Sequence, residues 1–153
     1  IAGLVKGASK GEGLGNAFLS HIREVHAICH LVRGFEENDV IHVEGSVDPK
    51  RDREIIEVEL ALSDLQTVIK KIDKEQGPAR TGNKDAKVAL ILLEKIKAGL
   101  EKGTMASALP LSDEERVQMK NFQLLTGKPM IYGVNVSESQ LSSASPDDWV
   151  KKL

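Results

Sequence analysis

Ile1-Ala2-Gly3-Leu4-Val5-Lys6-Gly7-Ala8-Ser9-Lys10-Gly11-Glu12-Gly13 opens the chain as an apolar run that passes into a loop of Gly, Lys and Ser. Residues 1 to 5 read as the end of a strand. Leu14, Phe18, Ile22 and Val25 then recur at spacings of three and four, which builds one apolar helix face. His26 to Val32 reads as a short buried strand. Residues 34 to 50 read as a loop, with an acidic stretch Glu36-Glu37-Asn38-Asp39 and Pro49 near its end. Far along the chain, Lys128 to Val134 reads as another strand, ending at Asn135. Strand, helix, strand, helical insertion, strand, helix is the alternation of a parallel sheet.

The helical insertion carries its own signature. Ile55, Val58, Leu62, Leu65, Ile69 and Ile72 step by three and four, the spacing of a coiled-coil seam. Gln76-Gly77-Pro78-Ala79-Arg80-Thr81-Gly82-Asn83 is expected to break that helix. A second seam follows at Ala89, Leu93, Ile96 and Leu100, so the two helices should fold back as an antiparallel hairpin. A third helix opens at Ser112 with Glu115 three residues on, where each side chain can satisfy an orphan backbone N–H. Gly127 with Pro129 beyond is expected to close it. Trp149 to Leu153 reads as the first turn of a helix.

Composition sets limits. The 153 residues suit one domain, or one domain with an insertion. Hydrophobic residues are 41%, ordinary for a globular chain and against disorder. A net charge of −2 supplies no global basic field, and 3% aromatics are too few for a base-stacking platform. Cys29 is the one cysteine, so no internal disulfide can form and a reducing compartment fits. No apolar run has the length of a membrane span.

Three blocks carry a resemblance. The first is Ile1 to Ala8 with Gly11, Gly13-Leu14-Gly15-Asn16 and Phe18-Leu19. The second is Phe35-Glu36 followed by His42-Val43-Glu44-Gly45-Ser46-Val47-Asp48-Pro49. The third is Lys128-Pro129-Met130 leading to Asn135-Val136-Ser137-Glu138. Together the chain resembles the YchF/Obg-like ATPases, a branch of the translation-factor-related P-loop NTPases. The resemblance makes the opening residues a switch II segment whose Asp-x-x-Gly motif is entered one residue late. Gly3 would then reach the terminal phosphate, while the Asp that holds Mg²⁺ through water would precede Ile1. It implies a fragment lacking the phosphate loop and the C-terminal TGS-type domain. The sequence contains no Gly-x-x-x-x-Gly-Lys-Ser/Thr; its single Gly-Lys, Gly127-Lys128, runs into Pro129.

Two positions bear on the implied chemistry. Relatives of this class place a water-orienting Gln after the switch II Gly. Here Leu4 stands there and can neither donate to water nor accept from it. Guanine-specific relatives use Asn-Lys-x-Asp, whose Asp accepts from guanine N1 and N2. The run here is Asn135-Val136-Ser137-Glu138, without the Lys and with an acid one methylene longer. Selectivity of that kind lives in paired polar groups, so the resemblance implies ATP rather than GTP, with Val136 near the base through its backbone.

Other constellations read more plainly. Gly11-x-Gly13-x-Gly15 has the wrong third spacing for a dinucleotide fingerprint and reads as a switch loop. His21, His26 and His30 lack the carboxylates or thiols that would complete a metal site. Cys29 reads as inert core. Arg80, Lys84 and Lys87 make a modest basic cluster at the hairpin loop, a candidate RNA contact.

The expected fold is α/β: a partial P-loop NTPase (G-domain) parallel sheet with an inserted α-helical coiled-coil hairpin. Residues 1–54 and 112–153 would form the partial NTPase domain, and 55–111 the insertion. The expected function is a nucleotide-hydrolysing switch with ATP preferred over GTP and Mg²⁺ as cofactor. Gly3 and Leu4 would act at the phosphate, and Asn135, Val136 and Glu138 would bind the base. No resident protein-held metal site is expected. The resemblance implies the ribosome or ribosomal RNA as partner, a cytoplasmic location, and neither membrane nor DNA. The alternatives are a non-catalytic interaction module working through the helical arm, and a GTP-specific GTPase.

Overall fold

The computed structural model describes residues 15–35 and 47–143. The opening strand and loop, with Gly3 and Leu4, lie outside the described residues. So do the acidic stretch at 36–39, most of the second block and the stretch from Trp149. The described chain forms α1 (Gly15–Glu24), β1 (Ile28–Arg33), α2 (Pro49–Arg80) and α3 (Lys84–Glu101). A 3₁₀ turn (Ala106–Ala108), α4 (Asp113–Lys120), β2 (Met130–Asn135) and α5 (Glu138–Ser143) follow.

β1 and β2 pair in parallel from Ile28 opposite Met130 to Arg33 opposite Asn135. The helical insertion between them makes the crossover, so the fold is α/β with a small parallel sheet and long helices. Both strands sit within a residue or two of their expected places. Cys29 does not sit in the core: it is exposed. Successive side chains on a strand alternate faces, and β1 turns Ile28, His30 and Val32 inward while Cys29 and Leu31 face out. An apolar run suggests burial on both faces, and among the described residues only one face of β1 is covered.

α2 begins where the sequence suggested a loop. The Asp48 side chain accepts from Arg51 N at 3.0 Å, and Pro49 takes the first helical position, where a missing N–H costs nothing. The helix then runs for 32 residues, about 48 Å, straight through Gly77-Pro78. Pro78 has no N–H to give Lys74 O, which costs one ladder bond, while the carbonyls of the last turn find partners beyond the helix end. Thr81 N reaches Gly77 O (3.2 Å), Gly82 N reaches Ala79 O (3.2 Å) and Asn83 N reaches Pro78 O (3.1 Å). Gly82 takes φ +97°, which favours glycine, and Asn83 caps α3 through Ala86 N at 3.0 Å. The break expected at 76–83 is therefore confined to Thr81–Asn83, and α3 folds back along α2.

The hairpin's seam differs from the heptad. Ile72 is buried and Leu65 packs on the core, but Val58, Leu62 and Ile69 are 56%, 39% and 40% exposed. The buried row is instead Leu60, Asp64, Val68 and Ile72, every fourth residue. α2 has two neighbours on adjoining sides, α3 along its outer half and α1 with the sheet along its inner half. That turns the buried arc away from a two-helix seam. On α3 the expectation holds: Leu93, Ile96 and Leu100 are buried and Ala89 packs against them.

α4 has the expected cap: Glu115 N donates to Ser112 Oγ (3.2 Å) and Ser112 N to Glu115 Oε2 (2.8 Å). It ends at Lys120 rather than Gly127. Gln123 adopts φ +55°, and the turn delivers Phe122 and Leu124 to the hairpin core and Leu125 to a second core. That second core joins α1 (Leu19, Ile22), β1 (Ile28) and α2 (Leu60). Val25, expected on the apolar face of α1, is 44% exposed just past the helix end.

Candidate functional site

In open parallel sheets the strand C-termini form the edge where ligands sit. Here that edge joins Arg33-Gly34-Phe35 to Asn135-Val136-Ser137-Glu138. Gly34 N donates to Asn135 O at 2.7 Å, extending the ladder by one step. Arg33 Nε donates to Phe35 O at 2.9 Å, and its guanidinium stacks 4.5 Å from the Phe35 ring centre. Ser137 and Gln140 form a reciprocal cap on α5. Ser137 N donates to Gln140 Oε1 (2.9 Å) and Gln140 N to Ser137 Oγ (3.3 Å). Gln140 Nε2 then donates to Gly34 O at 3.1 Å, tying the start of α5 to the end of β1. The Ser-x-x-Gln spacing is the local signal for this cap, one that sequence reasoning missed. The cap leaves Asn135 and Glu138 exposed and Val136 half-buried on a braced edge. The structure thus brings the three base-site candidates together on one turn.

Behind the edge lies a buried polar group. His30 on β1 is opposite Tyr132 on β2, with ring centres 5.8 Å apart. Tyr132 OH donates to Glu57 Oε1 at 2.6 Å, and Arg53 Nε lies 3.3 Å from the same oxygen as an ion pair without hydrogen-bond geometry. Burial, then the bond to Glu57, pushes the Tyr132 hydroxyl up to about 12. His30 is 5% exposed, and its Nδ1 has no partner among the described residues. Burial holds its pKa below the ordinary value, against the opposing pull of Glu57. The unfolded chain therefore binds this proton at higher pH than the folded one. Stability carried by neutral His30 is complete above the ordinary histidine pKa and drains as pH falls through the lower folded value. Urea titrations from pH 7 to pH 5 should show stability falling with acid. His30→Asn should flatten that fall, by up to about 1.4 kcal/mol per pH unit for one proton. An unchanged slope would exclude His30 as its source.

The other described histidines stand apart. His21 is exposed on α1 and His26 is exposed before β1, so His26 and His30 share no helix face. Among the described residues no group of three His, Cys, Asp or Glu could hold a metal ion.

α2 runs antiparallel to the strands. Glu57 meets mid-strand Tyr132, and Ile56 and Leu60 pack with the strand-entry residues Ile28 and Met130. Asp64 meets Leu125 and Thr126, which precede β2. Beyond Asp64 the hairpin continues away from the sheet. Arg80, Lys84 and Lys87 are exposed at its tip, roughly 35 Å along α2 from Glu57. The base-site candidates and the basic tip therefore occupy opposite ends of α2.

Sequence reasoning also missed what roots the hairpin. Asp64 is fully buried and accepts four hydrogen bonds. Leu125 N (2.9 Å) and Arg23 Nη1 (3.2 Å) reach Oδ1, and Thr126 N (2.7 Å) and Thr126 Oγ1 (2.8 Å) reach Oδ2. Lys128 Nζ donates to the carbonyls of Arg23 (3.0 Å) and Val25 (2.6 Å), placing a cation at the C-terminus of α1. Lys128 thus serves a helix end.

No protein-family model matches the chain. The whole chain is 46% identical to the "Ribosome-binding ATPase YchF" of Bacillus subtilis, of which it spans 42%. It is 49% identical over 139 residues to the "Obg-like ATPase 1" of Oryza sativa subsp. indica, covering 90% of the chain and 35% of that protein. The solved structure titled "Structure of the Schizosaccharomyces pombe YchF GTPase" matches with a TM-score of 0.77 at 39% identity. That match covers 97% of this chain and 42% of that one. The chain spans less than half the length of these relatives.

Proposed function

Starting from a chain related along its whole length to the YchF/Obg-like ATPases, we propose that it is part of a nucleotide-hydrolysing switch protein that prefers ATP to GTP and associates with the ribosome. One observation carries the reading beyond the names of the relatives. The run Asn135-Val136-Ser137-Glu138 lies at the C-terminal edge of a parallel sheet, on a turn braced to the neighbouring strand through Gln140 and Gly34. Asn135 and Glu138 would frame the base from that edge, with Val136 beside it through its backbone. Gly3 would sense the terminal phosphate, and Leu4 would leave the attacking water unoriented, so hydrolysis would be slow without a partner. Residues 1–54 and 112–153 would form the nucleotide-binding part, and 55–111 the arm, with position 55 falling within continuous α2. A cytoplasmic location follows from this reading; among the described residues no helix is long and apolar enough to cross a membrane.

The family implies Mg²⁺ with the triphosphate. That ion would enter with the triphosphate and be held by its phosphate oxygens; among the described residues no group of three His, Cys, Asp or Glu could hold it alone.

Calorimetric titration of the longer parent protein tests the base reading. ATP should bind at least about tenfold more tightly than GTP. Equal or reversed affinities would refute the preference; similarity to the Schizosaccharomyces pombe YchF GTPase makes GTP the natural competitor. No binding of either would leave the interaction-module reading. The ribosome reading has a separate test. Replacing Arg80, Lys84 and Lys87 with Gln in the parent should weaken ribosome co-sedimentation. The slope of log affinity against log salt should drop by about one for each phosphate that these side chains no longer neutralise. Unchanged, salt-insensitive binding would remove the tip from the interface.

A further inference from the structure

Resting on the switch reading above, we propose that Arg23 is a positioning residue that couples α1 to the helical arm, so that displacement of α1 on nucleotide binding is delivered to α2. Its two terminal nitrogens reach five oxygen acceptors, the two hydrogens of Nη2 being shared among three of them. Nη1 donates to Asp64 Oδ1 (3.2 Å) and to Gln123 O (3.1 Å). Nη2 donates to Ser63 Oγ (2.9 Å), Ser63 O (3.4 Å) and Thr67 Oγ1 (3.0 Å). One side chain at the end of α1 thus grips two turns of α2 and the turn that follows α4.

The surrounding packing leaves this grip a distinct task. Leu19 and Ile22 of α1 meet Leu60 and Leu125 through apolar surface, which is non-directional and lets packed helices slide by small steps. The planar fork of an arginine fixes both distance and angle, so it sets the register of one helix against the other. Asp64 passes that register on. Its second oxygen holds Thr126, whose Oγ1 accepts from Ala106 N (3.3 Å) and whose carbonyl accepts from Ser107 N (3.0 Å). The hydrogen-bonded path therefore runs from α1 to α2, and on to the 3₁₀ turn after α3. Both legs of the hairpin are held at the root by residues that answer to Arg23.

The test uses the full-length parent protein and reads amide hydrogen exchange of the arm with and without a non-hydrolysable ATP analogue. In the wild type, bound nucleotide should change exchange in the arm. In Arg23→Gln, nucleotide should still bind, its affinity shifted by no more than about fivefold, the reciprocal effect of losing a coupling at the low end of the usual range, while most of the arm's response is lost. Arg23→Lys keeps the charge beside Asp64 but loses the fork. It should fold with a lowered melting temperature and, at a temperature where it stays fully folded, still lose most of the response, whereas a purely structural clamp would lose stability and keep the response. An arm response equal to wild type in either folded variant would overturn the proposal. So would a wild type that binds nucleotide with no change in the arm, and in that case the switch site itself would stand. A wild type that binds neither ATP nor GTP would instead remove the reading on which the coupling rests.

Discussion

Replacing Asp64 with Ala is expected to destabilise the chain by about 3–5 kcal/mol in urea unfolding, the largest effect of any single substitution outside the apolar cores. The carboxylate has no exposed surface and accepts from four donors, two of them backbone amides. Alanine would leave Leu125 N and Thr126 N without acceptors inside a core, at about 1–3 kcal/mol for each unsatisfied group. It would also strip Arg23 of its nearest counter-charge. Asp64→Asn separates shape from charge. Its amide nitrogen must face either Thr126 N or Leu125 N, so one donor always meets a donor while the other oxygen still accepts. The Asn variant should therefore lose less than the Ala variant, yet still about 1–3 kcal/mol. Against a typical total of about 5–15 kcal/mol these are large fractions. An Ala variant within about 1 kcal/mol of wild type would mean that the four bonds do not anchor the arm.

Why Asp64 is invisible in the sequence while Ser112 is not comes down to range. A capping box is complete within four residues, and the cap on α4 forms where its spacing places it. The strands ending at Arg33 and Asn135 are likewise written in local composition, and their pairing follows from the alternation of elements. Asp64 has partners 41, 61 and 62 residues away, and nothing in its neighbourhood marks them. The available hint is positional: it stands four residues from both Leu60 and Val68, on the row that is buried. Gly77-Pro78 misleads in the opposite direction. Proline forbids one hydrogen bond, not a helix, and the turn at Thr81–Asn83 supplies partners for the carbonyls left over. For the candidate site, the motif from Asn135 to Glu138 is legible as a string. Its bracing through Gln140 and Gly34 depends on a strand more than a hundred residues earlier.

The heptad makes the second large prediction decidable, because Ile69 and Ile72 are equals in the sequence and unequal in the structure. A two-helix seam would bury both. Ile69 is 40% exposed and Ile72 5%, since the arc that α2 buries is shared between α3 and the root of the arm. Ile72→Ala should then cost about 2–5 kcal/mol, the transfer of the removed methyls plus a cavity among Val68, Leu93 and Ile96 that neighbours on a continuous helix cannot collapse to fill. Ile96→Ala, at zero exposure on the facing helix, should fall in the same range. Ile69→Ala leaves no cavity, because solvent already reaches the site, and should cost about 1 kcal/mol or less. The discriminating quantity is the difference between two chemically identical substitutions three residues apart on one helix, which cancels propensity and side-chain type. Equal losses at 69 and 72 would restore the coiled-coil seam and displace the every-fourth-residue row that puts Asp64 where Arg23 can reach it.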